Sequence, residues 1–287
     1  MEELRRTELV ARVEERVLRG LDEGAPGPAA LLFLLRRYLA ADSLAVAKSL
    51  EYGLGVALAQ YGDALQTIDR ADWLMLFVEA ARVSEDDRIP PTIAALADAL
   101  SAQWRTDDDV EQAGASIDAC LRASECAAAP TLLQRAIDEL ERVVAIAYQP
   151  GRVSGGAPQH VRLASALLTA FAITARLPYA MLAEELVRAM QRNNWDGPSG
   201  LFATTISLNC EAVRVLNRLG ELHRNAEYRA AAVLAPDADY GSDAAAILEA
   251  LAAHMSSFGF PCAPYGLALL EHSPESVGRT ERGGDLK

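Results

Sequence analysis

Residues 162–202 read RLASALLTAFAITARLPYAMLAEELVRAMQRNNWDGPSGLF, and this stretch decides the fold. The segment 161–175 is strongly apolar, which predicts a helix buried between its neighbours. A tight turn at Leu177 and Pro178 follows. The next segment, 181–192, is amphipathic and more charged, which predicts an outer helix with one face in water. The stretch therefore predicts a hairpin of one inner and one outer helix, followed by a loop that faces inward.

The same alternation continues in both directions along the chain. Ala, Leu, Glu and Arg dominate, and these residues favour helices, whereas no useful length alternates with the period of two that indicates a strand. Glycines, prolines and capping residues divide the chain into an opening helix and about twelve more, which make about six hairpins. The predicted helices are 3–19, 28–40, 43–60, 70–83, 91–104, 107–123, 130–148, 160–176, 178–193, 206–219, 226–234, 243–258 and 264–271.

Two all-α architectures fit this pattern. One is a closed (α/α)6 toroid of about six helix hairpins, and the alternative is an open α-solenoid. Open arrays repeat at a fixed period with a recurring motif. Here the spacing varies and no motif recurs, so we favour the toroid. The predicted domain spans residues 1–272, and the polar, Gly-rich residues 273–287 are expected to be a disordered tail.

Composition limits the classes of protein to which the chain can belong. Its 287 residues are 51% hydrophobic, and the net charge is −13 at pH 7. So acidic a chain repels phosphate backbones, which disfavours nucleic-acid binding. No apolar stretch reaches the ~18–20 residues of a membrane span, and the charged first residues do not resemble a secretory signal. These features predict an acidic, cytoplasmic protein that binds neither nucleic acid nor membrane, and the Ala- and Arg-rich composition suggests a bacterial source.

The four cysteines show no metal-binding pattern. They are Cys120, Cys126, Cys210 and Cys262, and none of them forms a C-x-x-C pair. We therefore expect small apolar side chains in a reducing cytosol, with no metal and no cofactor.

Residues 209–232, NCEAVRVLNRLGELHRNAEYRAAA, repeat the hairpin order of the opening stretch. Together the two stretches resemble the six-hairpin toroid superfamily. They are most similar to the helical region of thioredoxin-like proteins with an N-acylglucosamine 2-epimerase-like tail. The residues that carry this likeness are Trp195, Asp196, Gly200, Leu201, Phe202, Asn209, Leu219, Gly220 and Tyr228. The chain has no thioredoxin domain, and the catalytic histidines of the epimerases have no counterpart in its predicted inner helices.

The resemblance implies a ligand cavity at the centre of the ring, lined by the N-terminal ends of the inner helices. Free N–H groups converge at such ends and favour anionic or hydroxylated ligands. Asp72 and Asp196 are the candidate acid and base for glycoside chemistry. His160 is the candidate general base. Each of these residues also fits a structural role, because Asp near a helix start is usually a cap and His160 fits a surface or capping position.

Five further residues are candidates for ligand binding. Arg162 would clamp an anion beside His160, and Trp195 would either stack on a sugar face or fill the bottom of the ring. The remaining candidates lie near predicted helix starts: Asn209, Tyr240 and Asp243.

Three functions remain open at this point. The first is a binding or scaffold module whose central cavity takes a small molecule or carbohydrate, or whose surface holds a protein partner. The second is a carbohydrate-active enzyme, epimerase-like or glycosidase-like, although aromatic residues amount to only 6% and sugar sites need stacking rings. The third is a terpene- or prenyl-type toroid with an apolar cavity. The sequence predicts no oligomeric state.

Overall fold

The computed structural model describes residues 3–23, 27–41, 43–60, 67–104, 109–126, 130–150, 152–202, 205–232, 238–254 and 262–272. The helices are α1 (Glu3–Glu23), α2 (Pro28–Ala41), α3 (Leu44–Gln60), α4 (Thr67–Ala80), α5 (Ile89–Ser101), α6 (Val110–Ala123), α7 (Pro130–Ala147), α8 (Ala157–Thr174), α9 (Leu177–Asn194), α10 (Ile206–Arg224), α11 (Ala226–Ala231), α12 (Tyr240–His254) and α13 (Cys262–Glu271). Two antiparallel hairpins pair β1 (Tyr148–Gln149) with β2 (Arg152–Val153), and β3 (Trp195–Asp196) with β4 (Leu201–Phe202).

Six helices form a closed inner ring. Helices α2, α4, α6, α8, α10 and α13 contact one another in that order, and α13 also contacts α2. The last inner helix therefore packs against the first. This closure confirms the predicted (α/α)6 toroid and excludes the open solenoid, in which the two ends of the array stay apart.

The outer layer consists of α1, α3, α5, α7, α9 and α12. Helix α1 packs against α13 and α3, and α12 packs against α10 and α13. The opening helix was predicted to stand outside the hairpins. That prediction is wrong, because α1 is the outer partner of α13, at the opposite end of the chain.

The distribution of apolar residues explains which helices are inner. Helix α8 buries Val161, Leu163, Leu167 and Leu168 on several sides, together with alanines between them. Fully burying such a side chain contributes about 1.5–3 kcal/mol. Helix α9 buries its apolar residues as well but exposes Arg192 near its end. The contrast predicted from the sequence therefore matches the positions of these two helices.

Gly266 lies where the ring closes. A Cβ atom on this residue of α13 would lie 2.6 Å from side-chain atoms of both Val13 in α1 and Phe33 in α2. Both neighbours are fully buried, so neither has open space into which it could move. Glycine therefore permits the close packing of α13 against the first two helices.

The structure differs from the predicted boundaries most clearly in α10. The sequence predicted an end at Leu219, before Gly220, but the helix continues to Arg224. Leu216, Leu219 and His223 are all buried, and this spacing keeps one face of the helix against its neighbours past the glycine. No helix in the described part of the chain is both long and apolar enough to cross a membrane. Residues 273–287, the predicted tail, lie outside the described residues.

Candidate functional site

A cavity of about 1600 Å³ occupies the centre of the ring. The described residues that line it come from all six inner helices and from α1. On α4, α6, α8 and α10 the lining begins at the sixth residue of the helix, which is Asp72, Ala115, Arg162 or Glu211. On α2, α8 and α10 it continues into the last turn. Pockets for small ligands enclose about 300–1,000 Å³, so this cavity has room for a longer molecule.

Asp72, Arg162 and Glu211 form a cluster that we call the carboxyl floor. Nη2 of Arg162 lies 2.8 Å from Oε1 of Glu211, and Nη1 lies 3.9 Å from Oδ1 of Asp72. The side chains of Arg162 and Glu211 are largely buried, with 16% and 23% of their surface exposed. One guanidinium group thus faces two carboxyl groups, which leaves the floor with more acid than base.

The pKa values of both acids respond to this arrangement. Burial raises the pKa of Glu211 to about 7, the charge of Arg162 opposes the rise, and the neighbouring Asp72 adds to it. Burial also raises the pKa of Asp72, again against the opposing charge of Arg162. At neutral pH the floor therefore holds a carboxyl group that can donate a proton.

Four further arginines of the lining form a second cluster, which we call the arginine wall: Arg36, Arg122, Arg214 and Arg218. They come from α2, α6 and α10. Three of them, Arg36, Arg122 and Arg214, lower the pKa of the same carboxyl group, Glu271 in α13, against the effect of its burial. The guanidinium groups of three helices therefore converge on one region of the cavity.

Two members of the wall share one carboxylate. Asp118 accepts a hydrogen bond from Nε of Arg122 at 3.0 Å, and hydrogen bonds from the hydroxyl groups of Ser165 and Thr169. Arg218 donates to the same two hydroxyl oxygens, at 3.2 and 3.0 Å. Burial alone would raise the pKa of Asp118, but Arg122, Arg218 and the hydroxyl donors hold it well below its ordinary value. Asp118 is therefore a permanent anion at neutral pH.

Arg214 and Glu271 form a separate pair. Nε and Nη2 of Arg214 lie 2.8 Å from the two carboxylate oxygens of Glu271, in the two-pronged geometry that favours guanidinium–carboxylate pairing. Arg36 lies 3.1 Å from Glu79. The wall thus contains one fully matched ion pair and several cations that share their partners.

The lining holds more arginines than carboxyl groups. Seven arginines and five carboxyl groups are among the described lining residues, and two of the arginines, Arg36 and Arg37, pair with Glu79 and Glu14, which are not among them. Three buried nitrogen atoms of the lining have no hydrogen-bond partner: Nε of Arg36, Nε of Arg162 and Nδ2 of Asn217. These three atoms have almost no accessible surface, so the cavity offers a ligand its charged groups, within a chain whose net charge is −13.

The structure brings together two of the eight residues predicted as site residues. Asp72 and Arg162 both line the cavity and face each other across 3.9 Å. His160, Asp196, Trp195, Asn209, Tyr240 and Asp243 are not among the described lining residues. Their predicted roles in catalysis or binding therefore have no support from their position.

His160 and Asn209 hold the two β-hairpins onto the helices that follow them. His160 is the fourth residue of α8, and its ring lies 2.6 Å from the carbonyl oxygen of Gly156 and 3.4 Å from the N–H of Val153. Asn209 is the fourth residue of α10 and bonds both the N–H and the carbonyl of Phe202. Equivalent positions thus satisfy backbone groups in the same way, which is a structural use of a polar side chain.

Trp195 and Asp196 form strand β3, and both are exposed. The Trp195 ring packs edge-on against Phe202, with ring centroids 5.3 Å apart. Asp243 accepts a hydrogen bond of 2.7 Å from Gln191, which ties α12 to α9.

Tyr240 belongs to a buried group in the outer layer that we call the Glu184 cluster: Glu184, His223, Tyr228 and Tyr240. Oε1 of Glu184 lies 2.7 Å from both the Tyr240 hydroxyl and Nε2 of His223. Oε2 accepts from the Tyr228 hydroxyl at 3.3 Å. Burial raises the pKa of both tyrosines, and the adjacent carboxylate raises it further. This cluster joins α9 to α10, α11 and α12 without reaching the cavity lining.

The prediction that inner-helix N-termini line the cavity is wrong for the described residues. None of the first five residues of an inner helix is among those that line it. On α8 and α10 the N-terminal ends are occupied by the β-hairpins and by the side chains of His160 and Asn209. The lining instead starts one turn or more into each helix, where side chains rather than free N–H groups face the centre.

Sequence reasoning missed most of the cavity's charged residues. Glu211, Arg214 and Arg218 follow a spacing of three and four residues along α10, and Asp118 precedes Arg122 by four in α6. Residues at such spacing share one helix face. These residues could have been predicted from one signal. They form a line of charged side chains on one face of a helix whose other residues are apolar enough for the inner ring. In the described chain, no group of three or more His, Cys, Asp or Glu side chains is placed to hold a metal ion.

Comparison with known proteins gives similarity in structure only. No protein-family profile matches the chain, and no curated protein resembles it in sequence. The Lin0763 protein from Listeria innocua superposes with a TM-score of 0.65 over 87% of this chain and 84% of that one, at 12% identity. An inactive variant of the GH76A α-1,6-mannanase from Salegentibacter sp. HEL1_6, with two consecutive aspartates replaced, was solved in complex with α-1,6-mannotetraose. It superposes with a TM-score of 0.57 over 85% of this chain and 87% of that one, at 13% identity.

These identities show a common fold and carry no activity to this chain. The toroid seen in the mannanase agrees with the ring described above. The two consecutive aspartates have no counterpart among the described cavity residues, because the lining carboxyl groups come from α4, α6, α10 and α13 and no two are adjacent in sequence.

Proposed function

We propose that this protein binds an oligosaccharide in its central cavity. The observation that carries the proposal is a cavity of about 1600 Å³ lined by charged and hydrogen-bonding side chains from every inner helix. A saccharide presents hydroxyl groups that both donate and accept, which matches a lining of guanidinium, carboxyl and amide groups. The charged lining argues against the apolar ligand of a terpene- or prenyl-type toroid.

The mannanase comparison supports the same ligand class. That enzyme shares the ring and was solved with a tetrasaccharide. Among the described lining residues, Phe171 is the one aromatic ring, so stacking contributes little here and hydrogen bonds must hold the sugar. This balance differs from the aromatic-rich sites on which many sugar-binding proteins depend.

A second candidate function is hydrolysis of a glycosidic bond, and the carboxyl floor favours it. Glu211 has a pKa near 7, which suits a general acid that protonates the leaving oxygen. Asp72, held by the same arginine, is the second carboxyl group that such a reaction needs. In this scheme Glu211 has the role that was predicted for Asp196, and His160 takes no part in the reaction.

The hypothesis of an epimerase-like reaction has weaker support than that of hydrolysis. No histidine is among the described residues that line the cavity, whereas the resemblance to N-acylglucosamine 2-epimerases implies catalytic histidines there. The hypothesis of a scaffold that holds a protein partner applies to the outer face of the ring. The described residues of that face indicate no particular kind of partner.

Titration calorimetry with α-1,6-mannotetraose and other tetrasaccharides tests the binding proposal. Ala172 lines the cavity and is exposed, so Ala172→Trp should block the cavity without disturbing the core and should abolish binding. Ala246, exposed on outer helix α12, gives the matched control Ala246→Trp, which should bind as the unmodified protein does. Equal binding by both variants would place the saccharide elsewhere and end the proposal.

Release of reducing ends tests hydrolysis. Glu211→Gln should lower the rate by about 10²–10⁴-fold while saccharide binding persists, because the amide cannot donate the proton. Glu249→Gln is the control, since Glu249 is exposed on outer helix α12, pairs with Arg5 and is not among the described lining residues. If the unmodified protein releases no reducing ends from any saccharide that it binds, hydrolysis is excluded and the protein is a binding module.

A further inference from the structure

We infer that the saccharide taken by this cavity is acidic, and that the arginine wall holds its carboxylate, sulfate or phosphate group. The inference rests on the proposed saccharide binding and specifies the class of sugar. The residue that determines this preference is Arg218, together with the charges around it.

Arg218 is a cation without a carboxylate of its own. Its guanidinium group donates to the carbonyl and hydroxyl oxygens of Ser165 and to the hydroxyl of Thr169. All three acceptors are neutral. In the described part of the chain, no carboxylate oxygen lies within 4.0 Å of the Arg218 guanidinium nitrogens, the distance that defines an ion pair. Five other arginines of the cavity lining do have such a carboxylate partner. An enclosed cation without a matching anion costs free energy that a bound anion would recover.

Neighbouring cations make that cost larger. Burial and the charges of Arg122 and Arg214 lower the pKa of Arg218 to about 10, against the opposing charges of Asp118 and Glu271. Both of these carboxylates already pair with another arginine, Asp118 with Arg122 and Glu271 with Arg214. The wall therefore concentrates positive charge at one place, and this happens in a chain whose overall charge is −13. Such a local reversal of sign attracts an anionic ligand into the cavity.

Two unpartnered donors border the same region. Nδ2 of Asn217 and Nε of Arg36 are buried and donate to no acceptor. Asn217 lies next to Arg218 in sequence, and its carbonyl oxygen is already used by His272, 2.7 Å away. Because these two nitrogen atoms have almost no accessible surface, what the wall offers a ligand is its guanidinium charge. A carboxylate, sulfate or phosphate group supplies the matching negative charge, and guanidinium groups bind these groups in paired geometry.

The two clusters of the lining then have separate tasks. The arginine wall would fix the charged substituent, and the carboxyl floor would meet the sugar's hydroxyl groups or its glycosidic oxygen. Glu211 lies three residues from Arg214 and seven from Arg218 along α10, and a helix rises 1.5 Å per residue. The floor and the far end of the wall are therefore separated by about 10 Å, roughly the span of two sugar rings.

The test compares tetrasaccharides of equal length by titration calorimetry on the unmodified protein. Tetragalacturonate, sulfated mannotetraose and phosphorylated mannotetraose are measured against neutral α-1,6-mannotetraose. At least one acidic sugar should bind tenfold or more tightly than the neutral one, and its advantage should shrink as salt rises from about 0.05 to about 0.5 M, because salt screens charge pairing. Comparing the three acidic sugars identifies which anionic group the wall prefers.

Each other outcome overturns the inference in a recognisable way. If neutral mannotetraose binds as tightly as every acidic sugar, the inference fails and the proposed saccharide binding stands. If no saccharide binds, the proposed function fails and the inference fails with it. If free sulfate or phosphate binds as tightly as the acidic sugars, the wall is a site for small anions and the saccharide assignment is lost.

Variants of Arg218 separate binding from folding. Arg218→Gln should weaken binding of the preferred acidic sugar by about 10–100-fold, and Arg218→Lys should lie between Gln and the unmodified protein. Arg224→Gln, at an exposed position on the same helix, should bind normally. The melting temperature of ligand-free Arg218→Gln should stay within about 3 °C of that of the unmodified protein or rise, since the variant removes a positive charge that lies close to other positive charges. Unchanged binding by Arg218→Gln would overturn the assignment.

Discussion

The Glu184 cluster and the arginine wall are both buried polar groups, but they are built in opposite ways. In the Glu184 cluster one carboxylate receives three donors, from His223, Tyr228 and Tyr240. In the wall, four arginines face two carboxylates of the lining, Asp118 and Glu271. Within the described atoms of the cluster, Nδ1 of His223 alone is buried without a hydrogen-bond partner, and no member lines the central cavity, whereas the wall has more cations than carboxylates and lines that cavity.

If the cavity binds a ligand as proposed, this difference separates polar groups that hold the fold together from polar groups that bind the ligand. A polar cluster that only joins helices is most stable when every donor and acceptor is used. A site for an exchangeable ligand must leave some of them unused, at a cost in stability. Changes in the Glu184 cluster should therefore affect folding alone, and changes in the wall or the carboxyl floor should affect binding as well.

The largest effect is expected for Glu184→Ala. Loss of the carboxylate leaves two tyrosine hydroxyls and a histidine buried without their acceptor, so the free energy of unfolding should fall by about 3–5 kcal/mol. Urea denaturation measures this change. Glu249→Ala, which removes an exposed partner of Arg5, should cost less than about 1 kcal/mol. A similarly small loss for Glu184→Ala would show that the cluster is not needed to hold the outer layer.

Asp118→Asn should produce the next largest effect and a change in pH dependence. The pKa of Asp118 is depressed in the folded protein, so its stabilisation is fully present above the unfolded value near 3.9, begins to decrease there, and is lost as pH falls through the lower folded value. The asparagine variant should lose about 2–3 kcal/mol at pH 7 and should differ less from the unmodified protein at pH 3. Denaturation curves at the two pH values check this, and an equal loss at both would contradict it.

Glu211→Gln should change the pH dependence of stability in the opposite direction. The pKa of Glu211 is raised to about 7 from 4.5, so the folded protein holds a proton that the unfolded chain releases, and stability falls as pH rises between those values. Above pH 7 the glutamine variant should be more stable than the unmodified protein by about 1–2 kcal/mol, after allowance for solvent in the cavity. Thermal unfolding between pH 5 and pH 8 measures the difference, and a constant difference would rule out the raised pKa.

Trp195→Ala should have the smallest effect. Trp195 is 39% exposed and contacts Phe202 by its edge, so we expect a loss of about 1 kcal/mol or less. Saccharide binding by calorimetry should not change, because the residue is outside the described lining. A clear loss of binding would instead support the role in sugar stacking that the sequence suggested for Trp195.

The sequence was sufficient to predict the helices and the type of ring. Alternation between apolar and amphipathic segments, as in α8 and α9, follows directly from burial on many sides or on one. The partner of α1 could not be predicted in this way. Its contact with α13 joins residues at opposite ends of the chain, and no local pattern encodes that pairing.

The site was predictable only in part, for a related reason. Asp72 and Arg162 were identified from their positions near helix starts, and both line the cavity. His160 and Asn209 share that feature, yet they satisfy the backbone of adjacent hairpins. Which side of an inner helix faces the centre depends on the rotation of that helix against two neighbours. That rotation is a property of the packed ring and is not visible in a single helix.

The contact between α13 and α2 also determines when a ligand site can exist during synthesis. The ribosome releases α2 first among the inner helices and α13 last. Until Gly266 reaches Val13 and Phe33, the nascent ring has a gap, and Glu271 cannot take its place beside Arg214. The ring therefore closes only after α13 has left the exit tunnel, so a chain interrupted before α13 would carry most of the described helices without a closed cavity.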